Sequence, residues 1–545
     1  MSKKERNEIV LMILLSLGVY LVGIFRIPLM EVDSSGYAAI SQEMFASKNF
    51  FEVKNYGQDY LDKPPFLFWS SCFSFLIFGI TDWAFRIPSF LFTLLGLFSI
   101  FHLGRLLYDE RKAWYAVLIQ VTCLASFLIS HDVRTDTILL NAIIFAVWQL
   151  MEYIMGQRRI YNLVLGFIGI GIAMLEKGPI GFMVPAIAIL SWVFFQRSWK
   201  LLASPAWLLG LLVTSTLLVP MCIGLYQQYG WNGIRFYFWT QSFGRITGAS
   251  SWSNDTDPFY FLHTFLWSYL PWSFLAVSAF SYQIIQAFRL RFRMDANTIM
   301  PVVIIFFVFA GMSLSHYKLP HYIYVAFPFI SLATADWCTG YLSHGNRIFR
   351  VVYISNYIFF GLLLISLIFI VSYAFPECSH EIIWIVILSL LPLAVLIMIS
   401  QGCTTRLMMS GAGLMIVVNL LLNLVFYPRL LQFQSGKPAA VFLERTKTPP
   451  ESVFVLKIQP NSFLFYGKHQ FPTIQMAQMD SVLQKYNRIW LYTSERGLQS
   501  LRESSHKVVF YQQFAHFPVS MLSIGFLNPE TRSGVIKNRY LVRVQ

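Results

Sequence analysis

The chain has 545 residues, of which 56% are hydrophobic, 17% aromatic and only 12% charged. A soluble domain carries roughly a quarter charged residues, so this balance, with a mean hydropathy of +0.57, excludes a soluble globular protein. The net charge of +14 does not indicate nucleic acid, because the basic residues sit mostly in short loops between apolar runs, where they report topology or meet anionic lipid.

Lys3, Lys4 and Arg6 precede a first apolar run, about Ile9 to Phe25, and place the N-terminus on the cytoplasmic side. No small-residue cleavage site follows that run, so it reads as a retained first helix. A long outer loop, about 27–87, contains an amphipathic stretch, Ser35–Ala46, and an apolar stretch, Pro64–Ile80. If the second stretch spanned the membrane, Arg105, Arg111 and Lys112 would fall outside. Its length of about 17 residues and its Phe, Trp and Ser content suit an interfacial helix instead.

On that choice, spans are expected at about 87–106, 113–130, 137–154, 160–175, 178–195, 204–227 and 259–286. They continue at about 298–314, 321–339, 350–373, 381–399 and 407–427. With the first helix this makes roughly thirteen spans. Arg158–Arg159, Arg197, Lys200, Arg289, Arg291, Arg293, Arg347, Arg350 and Arg406 then all lie in cytoplasmic loops. The expected fold is a polytopic α-helical membrane domain, 1–435, followed by an extracytoplasmic α/β domain, 436–545. In the latter, short strands (Val453–Val455, Arg488–Tyr492, Val508–Tyr511, Tyr540–Val544) alternate with helical segments (Ala439–Arg445, Glu495–Arg502). The six cysteines form no CxxC pair and no metal spacing, and read as structural thiols.

The same topology sorts the charges. Five outer segments carry ionisable residues beside apolar helix ends: 32–37 with Asp33 and Tyr37, 61–65 with Asp62 and Lys63, 131–136 with Arg134 and Asp136, 175–179 with Lys177, and 315–320 with Lys318. The loop between the seventh and eighth spans adds Arg235, Arg245 and Asp255. Lys63, Lys177, Arg245 and Lys318 are placed to converge on a phosphate, and Asp33 and Asp136 supply carboxylates that act as a base or order the cations. Each residue alone has a plainer reading: a lysine at a helix end snorkels to the interface, and Asp136 suits a helix start. Their joint placement on one face favours chemistry.

In order, Asp33-x-x-x-Tyr37, Asp62-Lys63-Pro64-Pro65-Phe66-Leu67-Phe68-Trp69, Phe78-Gly79, Phe85-Arg86-Ile87-Pro88-Ser89, Arg134-Thr135-Asp136, Lys177-Gly178-Pro179 and Lys318-Leu319-Pro320 resemble the bacterial aminoarabinose transferase and protein O-mannosyltransferase group. The likeness covers most of residues 1–340. It implies the GT-C fold and transfer of a sugar, with inversion, from a polyprenyl (undecaprenyl) phosphate donor to a glycolipid, protein or other glycan acceptor on the periplasmic face. It implies Asp33 as the catalytic aspartate. It implies Lys63, Lys177 and Asp136 along the donor phosphate region, with Arg245 where the family places an arginine; by their placement Lys318 joins the phosphate set, and Tyr37, Asp62, Arg134 and Asp136 are expected to organise the site. No cofactor is required, a divalent metal staying open, and the implied location is the bacterial inner membrane. Ser34 and Gly36 replace the Glu and Arg of the aminoarabinose transferases, Asp62 replaces their Glu, and Asp255 lies near their histidine. Sugar and acceptor therefore stay open. The competing class is a transporter or flippase of lipid-linked sugars, against which the absence of internal repeats and the one-sided charges count.

Overall fold

A computed structural model describes residues 1–156, 159–241, 244, 247, 253–254, 256–342, 347–504 and 506–545. The first half is built from helices α1 (Lys3–Arg26), α2 (Asp33–Ser47), α3 (Phe66–Phe78), α4 (Asp82–Leu107), α5 (Glu110–Thr122), α6 (Leu124–His131), α7 (Thr135–Met155), α8 (Ile160–Lys177), α9 (Ile180–Gln196), α10 (Ala206–Tyr229) and α11 (Trp231–Arg235). Then come α12 (Tyr260–Ser268), α13 (Ser273–Arg289), α14 (Ala296–Ser313), α15 (Phe327–Gly340), α16 (Arg347–Ala374), α17 (Ser379–Ile399) and α18 (Cys403–Leu421). Helix α18 runs on through a π-turn, Leu422–Phe426, to Leu430.

Helical segments occupy all thirteen expected positions. Among the described residues nine helices are long and apolar enough to cross a membrane, or ten if the bent α5–α6 pair counts as one span. The expected third and eighth spans are not continuous: α5 and α6 meet at 53°, and α12 and α13 are separated at Tyr269–Trp272. The two breaks serve each other. The Leu124 amide, which begins α6, donates to the Leu270 carbonyl at 2.9 Å, and Trp272 Nε1 donates to Thr122 Oγ1 at 3.0 Å. Backbone groups freed inside an apolar array need such partners. The expected tenth span opens with a 3₁₀ turn, Pro320–Ala326, before α15. Helix α3, at 13 residues, is about 20 Å long, short of a hydrocarbon core of about 30 Å.

Helix α7 lies at the centre, packed by α4, α8 and α9. Its hairpin with α8 brings the start of α7 and the end of α8 to one face. Arg86 of α4 is fully buried and fixes the same end of the array. Its guanidinium donates to the carbonyls of Ile24 (3.0 Å), Ile27 (2.6 Å) and Pro28 (3.0 Å) at the exit of α1, and to that of His131 (2.9 Å) at the end of α6.

The C-terminal region forms a five-stranded sheet of order β4-β3-β5-β7-β6, with β3 (Val453–Leu456), β4 (Thr473–Ile474), β5 (Ile489–Ser494), β6 (Val508–His516) and β7 (Lys537–Val544). Strand β3 pairs in parallel with β4 and β5, and β7 pairs antiparallel with β5 and β6. A separate two-residue ribbon, β1 (Lys54–Asn55) and β2 (Gln58–Asp59), sits in the first loop. Helices α19 (Gly436–Arg445), α20 (Asn461–Gly467), α21 (Met479–Tyr486), α22 (Glu495–Arg502), α23 (Ile524–Leu527) and α24 (Pro529–Val535) complete the chain.

The two parts meet on the first loop. Leu29 N–H donates to Tyr466 Oη (2.8 Å), Glu31 N–H to Gln434 Oε1 (2.8 Å), and Asn461 Nδ2 to the Val32 carbonyl (3.0 Å). The Ser462 hydroxyl donates to the Glu31 carboxyl. Burial raises the Glu31 carboxyl above its usual range, and the Ser462 bond and the charge of Arg539 oppose that rise.

Candidate functional site

Asp33 opens α2, where its charge meets the positive end of the helix, and α2 is entered through the contacts just described. Its Oδ2 lies 2.6 Å from Arg134 Nη1. Arg134 precedes α7, and its Nε and Nη2 both donate to Asp132 Oδ2, at 2.9 and 2.8 Å. Burial works against the guanidinium charge, and Asp132 and Asp33 more than offset it, so Arg134 is held above its usual range.

Arg134 Nη1 also stands 3.2 Å from His321 Nδ1. A guanidinium only donates, so that ring nitrogen accepts, and the proton falls on Nε2, which faces Asp136 Oδ2 at 3.5 Å. Asp136, 2% exposed in the first turn of α7, receives Lys177 Nζ at 2.5 Å. The positive φ of Gly178 (75°) ends α8 just after Lys177, and Pro179 turns the chain into α9. Lys177 is thereby presented sideways, its ammonium also 4.0 Å above the Tyr322 ring. Asp33, Arg134, His321, Asp136 and Lys177 thus form one continuous polar chain.

Lys63 belongs to the loop before α3 and pairs with Asp62 at 2.6 Å. Gln241 Nε2 donates to the Asp62 carbonyl, and Tyr60 Oη approaches the Asp62 carboxylate at 3.4 Å. Burial raises the Tyr37 phenol well above its usual value, as do the neighbouring Tyr60, Asp33 and Asp62, with Arg134 opposing. Tyr37 is therefore a neutral hydroxyl that feels both the Asp62 and the Asp33 carboxylates.

Lys63 and Lys177 line a single cavity of about 130 Å³ with Gln241, Ser315 and Tyr322. Its remaining wall is apolar, from Ile180, Val184 and Ile187 of α9 and Phe307, Val308 and Met312 of α14. Two ammonium groups at one end of an apolar trough suit an anionic head with a hydrocarbon tail.

Of the expected residues, the structure brings together Asp33, Tyr37, Asp62, Lys63, Arg134, Asp136 and Lys177. Lys318 is set apart from that cavity: its Nζ donates to the Asp257 carbonyl (3.1 Å), and its backbone is held on both sides by the Asn254 amide. Arg245 and Asp255 lie outside the described residues. His321, Asp132 and Gln241 were not singled out from the sequence. His321 follows the Lys318-Leu319-Pro320 block directly, and that adjacency was the available signal. Among the described residues no group of three or more His, Cys, Asp or Glu is arranged to hold a metal ion.

A family model described as dolichyl-phosphate-mannose-protein mannosyltransferase matches residues 62–223. Relatives named undecaprenyl phosphate-α-4-amino-4-deoxy-L-arabinose arabinosyl transferase include one from Edwardsiella ictaluri, 28% identical over 253 residues (45% of this chain, 44% of the relative). Another, from Sodalis glossinidius, is 29% identical over 380 residues (66% of this chain, 64% of the relative). The chain thus spans about half to two thirds of the length of these relatives. ArnT from Cupriavidus metallidurans, in a crystal structure bound to undecaprenyl phosphate, superposes with a TM-score of 0.74 at 18% identity, covering 98% of this chain and 97% of that one. The oligosaccharyltransferase AglB of Archaeoglobus fulgidus superposes more loosely, with a TM-score of 0.50 at 12% identity, covering 90% of this chain and 69% of that one. The chain is a multi-pass membrane protein of the GT-C fold that resembles the aminoarabinose transferases.

Proposed function

We propose that this protein is an inverting glycosyltransferase that moves a sugar from a polyprenyl-phosphate donor to an acceptor on the periplasmic face of the bacterial inner membrane. The cavity carries the reading: Lys63 and Lys177 line one apolar trough, and Lys177 is joined through Asp136, His321 and Arg134 to Asp33. In this reading residues 1–435 are the transferase domain and 436–545 the periplasmic domain. The relatives named for undecaprenyl phosphate-aminoarabinose support an undecaprenyl donor; a lipid A-like glycolipid acceptor rests on the family resemblance, and the mannosyltransferase match supports a protein acceptor.

The acceptor oxygen attacks the anomeric carbon from the face opposite the lipid phosphate. The bond from that carbon to the phosphate oxygen breaks, and the electron pair leaves with the phosphate, whose growing charge faces Lys63 and Lys177. Arg245 is assigned to the same phosphate on the family resemblance alone; Lys318, bonded to the Asp257 carbonyl, is not. An acceptor hydroxyl passes its proton to Asp33; an acceptor already ionised needs no base, and Asp33 then orients it beside Arg134. Asp62 holds the Lys63 ammonium in place, and Tyr37 lies near both carboxylates as an organising group.

The test uses purified full-length protein in lipid nanodiscs with undecaprenyl-phosphate aminoarabinose and a lipid A acceptor, product being read by mass spectrometry. Transfer by the parent, and loss of about 10²-fold or more on Asp33→Asn and on Lys63→Ala in folded protein, is expected. Full transfer by both variants, or movement of donor across a bilayer without transfer by the parent, overturns the proposal.

A further inference from the structure

The segment 517–527 of the C-terminal region carries large apolar side chains that the described residues leave exposed: Met521 is 76% exposed, Leu522 42% and Ile524 86%. Exposed apolar residues in a soluble domain are ordinary when scattered. Here they share one short turn, in which Met521 N–H donates to the Pro518 carbonyl at 2.8 Å and Ser523 Oγ accepts from Phe526 N–H at 3.3 Å.

That turn is anchored at a defined height. Phe517 N–H donates to the Phe433 carbonyl (2.7 Å), and the Phe517 and Phe526 rings stack with centroids 4.1 Å apart. The Arg532 guanidinium lies over Phe375, Phe433 and Phe526, at 5.0, 5.7 and 5.1 Å, and donates to the Ala374 carbonyl. Ala374 is the last residue of α16, and Phe375 begins the turn into α17. Both helices are candidate spans with few buried residues: only 17% and 11% of their most apolar stretches are buried in the protein. Their bare flanks include Phe369, Ile370 and Tyr373 in the last turns of α16. Tyrosine in that position suits the membrane boundary.

We propose that the Met521–Ile524 turn dips into the lipid leaflet on the site's side of the membrane, so that the C-terminal domain is pinned to the bilayer as well as to the helices. The occupant is lipid, because the apolar turn continues the lipid-facing surface of α16 at the level where that span ends. Its apolar residues are burial-driven, and Arg532 behind them sets how deep they reach. This inference does not depend on the reaction proposed above.

The experiment places nitroxide labels on Ile524→Cys and, separately, on Leu522→Cys, in full-length protein in which the exposed Cys403 is Ser. The protein is reconstituted in phosphatidylethanolamine–phosphatidylglycerol vesicles, and unmutated Cys403→Ser protein corrects for background labelling. Gln484→Cys on α21 is the aqueous reference. Both turn labels are expected to relax several-fold more with oxygen than with a water-soluble nickel chelate, and Gln484→Cys the reverse. Turn labels that behave like Gln484→Cys, or that are shielded from both reagents as a covering protein would shield them, overturn the proposal. The labelled positions are exposed, so the variants fold as the parent does.

Discussion

Replacing Lys177 separates its two roles. Asp136 is 2% exposed, and its oxygens meet Lys177 Nζ at 2.5 Å and His321 Nε2 only at 3.5 Å. Lys177→Met therefore leaves a buried carboxylate without its close cation, which costs about 3–5 kcal/mol of stability. Adding Asp136→Asn removes that charge. The double variant then lacks a charged hydrogen bond but strands no ion, and its deficit falls to about 1–2 kcal/mol. Transfer should behave differently. If Lys177 neutralises the departing phosphate, both the single and the double variant lose about 10²–10³-fold in rate. Thermal unfolding followed by tryptophan fluorescence in detergent, and single-turnover transfer at saturating protein, read the two quantities independently. A double variant that regains transfer along with stability would refute the phosphate role and leave Lys177 as a partner of Asp136 alone. One as unstable as the single variant would refute the charge-pair account.

Arg86→Met strands the carbonyls of Ile24, Ile27, Pro28 and His131, so the unfolding temperature in detergent should fall sharply, by several kcal/mol in stability; Arg86→Lys, with three donors for four acceptors, should recover part of it. Asn461→Ala removes the donor to the Val32 carbonyl beside Asp33, worth about 1 kcal/mol, so kcat/KM should drop roughly fivefold with little change in sheet-domain stability, whereas Glu31→Gln keeps an acceptor for Ser462 and should be tolerated. Because burial raises the Glu31 carboxyl above its unfolded value, its contribution is present below the unfolded pKa and lost as pH rises through the folded one; Glu31→Gln should therefore flatten that part of the stability–pH curve in a fluorescence titration. Asp132→Asn leaves Arg134 with Asp33 as its charged partner, and transfer should fall about thirtyfold, for roughly 2 kcal/mol, while donor binding measured by isothermal titration holds.

Hydropathy and loop charge made most of the helical array legible, because span length and cation placement are set by the bilayer itself. They did not show the breaks at Cys123 and at Tyr269–Trp272. Apolar residues run up to each break from both sides, and what stabilises the bend is a bond between Leu124 and Leu270, far apart in sequence. The small domain was legible through its β-branched and aromatic runs, down to the helix Glu495–Arg502, but the two-residue β4 was too short to leave a pattern. For the site, the ionisable segments at helix ends were visible because charge is costly there. Their pairing was not. Nothing in the local sequence shows that Asp33 meets Arg134, that His321 lies between Arg134 and Asp136, or that Lys318 turns to Asp257.

The pairing itself constrains how the site works. Each cation in it is held by a carboxylate before any substrate arrives: Lys63 by Asp62, Lys177 by Asp136, and Arg134 by Asp132 and Asp33. In the proposed reaction, cations so held are already in place when phosphate arrives, so little reorganisation remains at the moment the lipid phosphate departs. Arg134 is asymmetric in this respect. Asp132 takes two of its N–H groups, at 2.9 and 2.8 Å, and Asp33 meets Nη1, which it shares with His321. An incoming acceptor can therefore draw the Asp33 carboxylate away while Asp132 keeps the guanidinium in position. The residue most exposed in the polar chain is also the one whose release disturbs it least. In the proposed reaction, that is the property required of a group that faces the acceptor while its neighbours hold the phosphate.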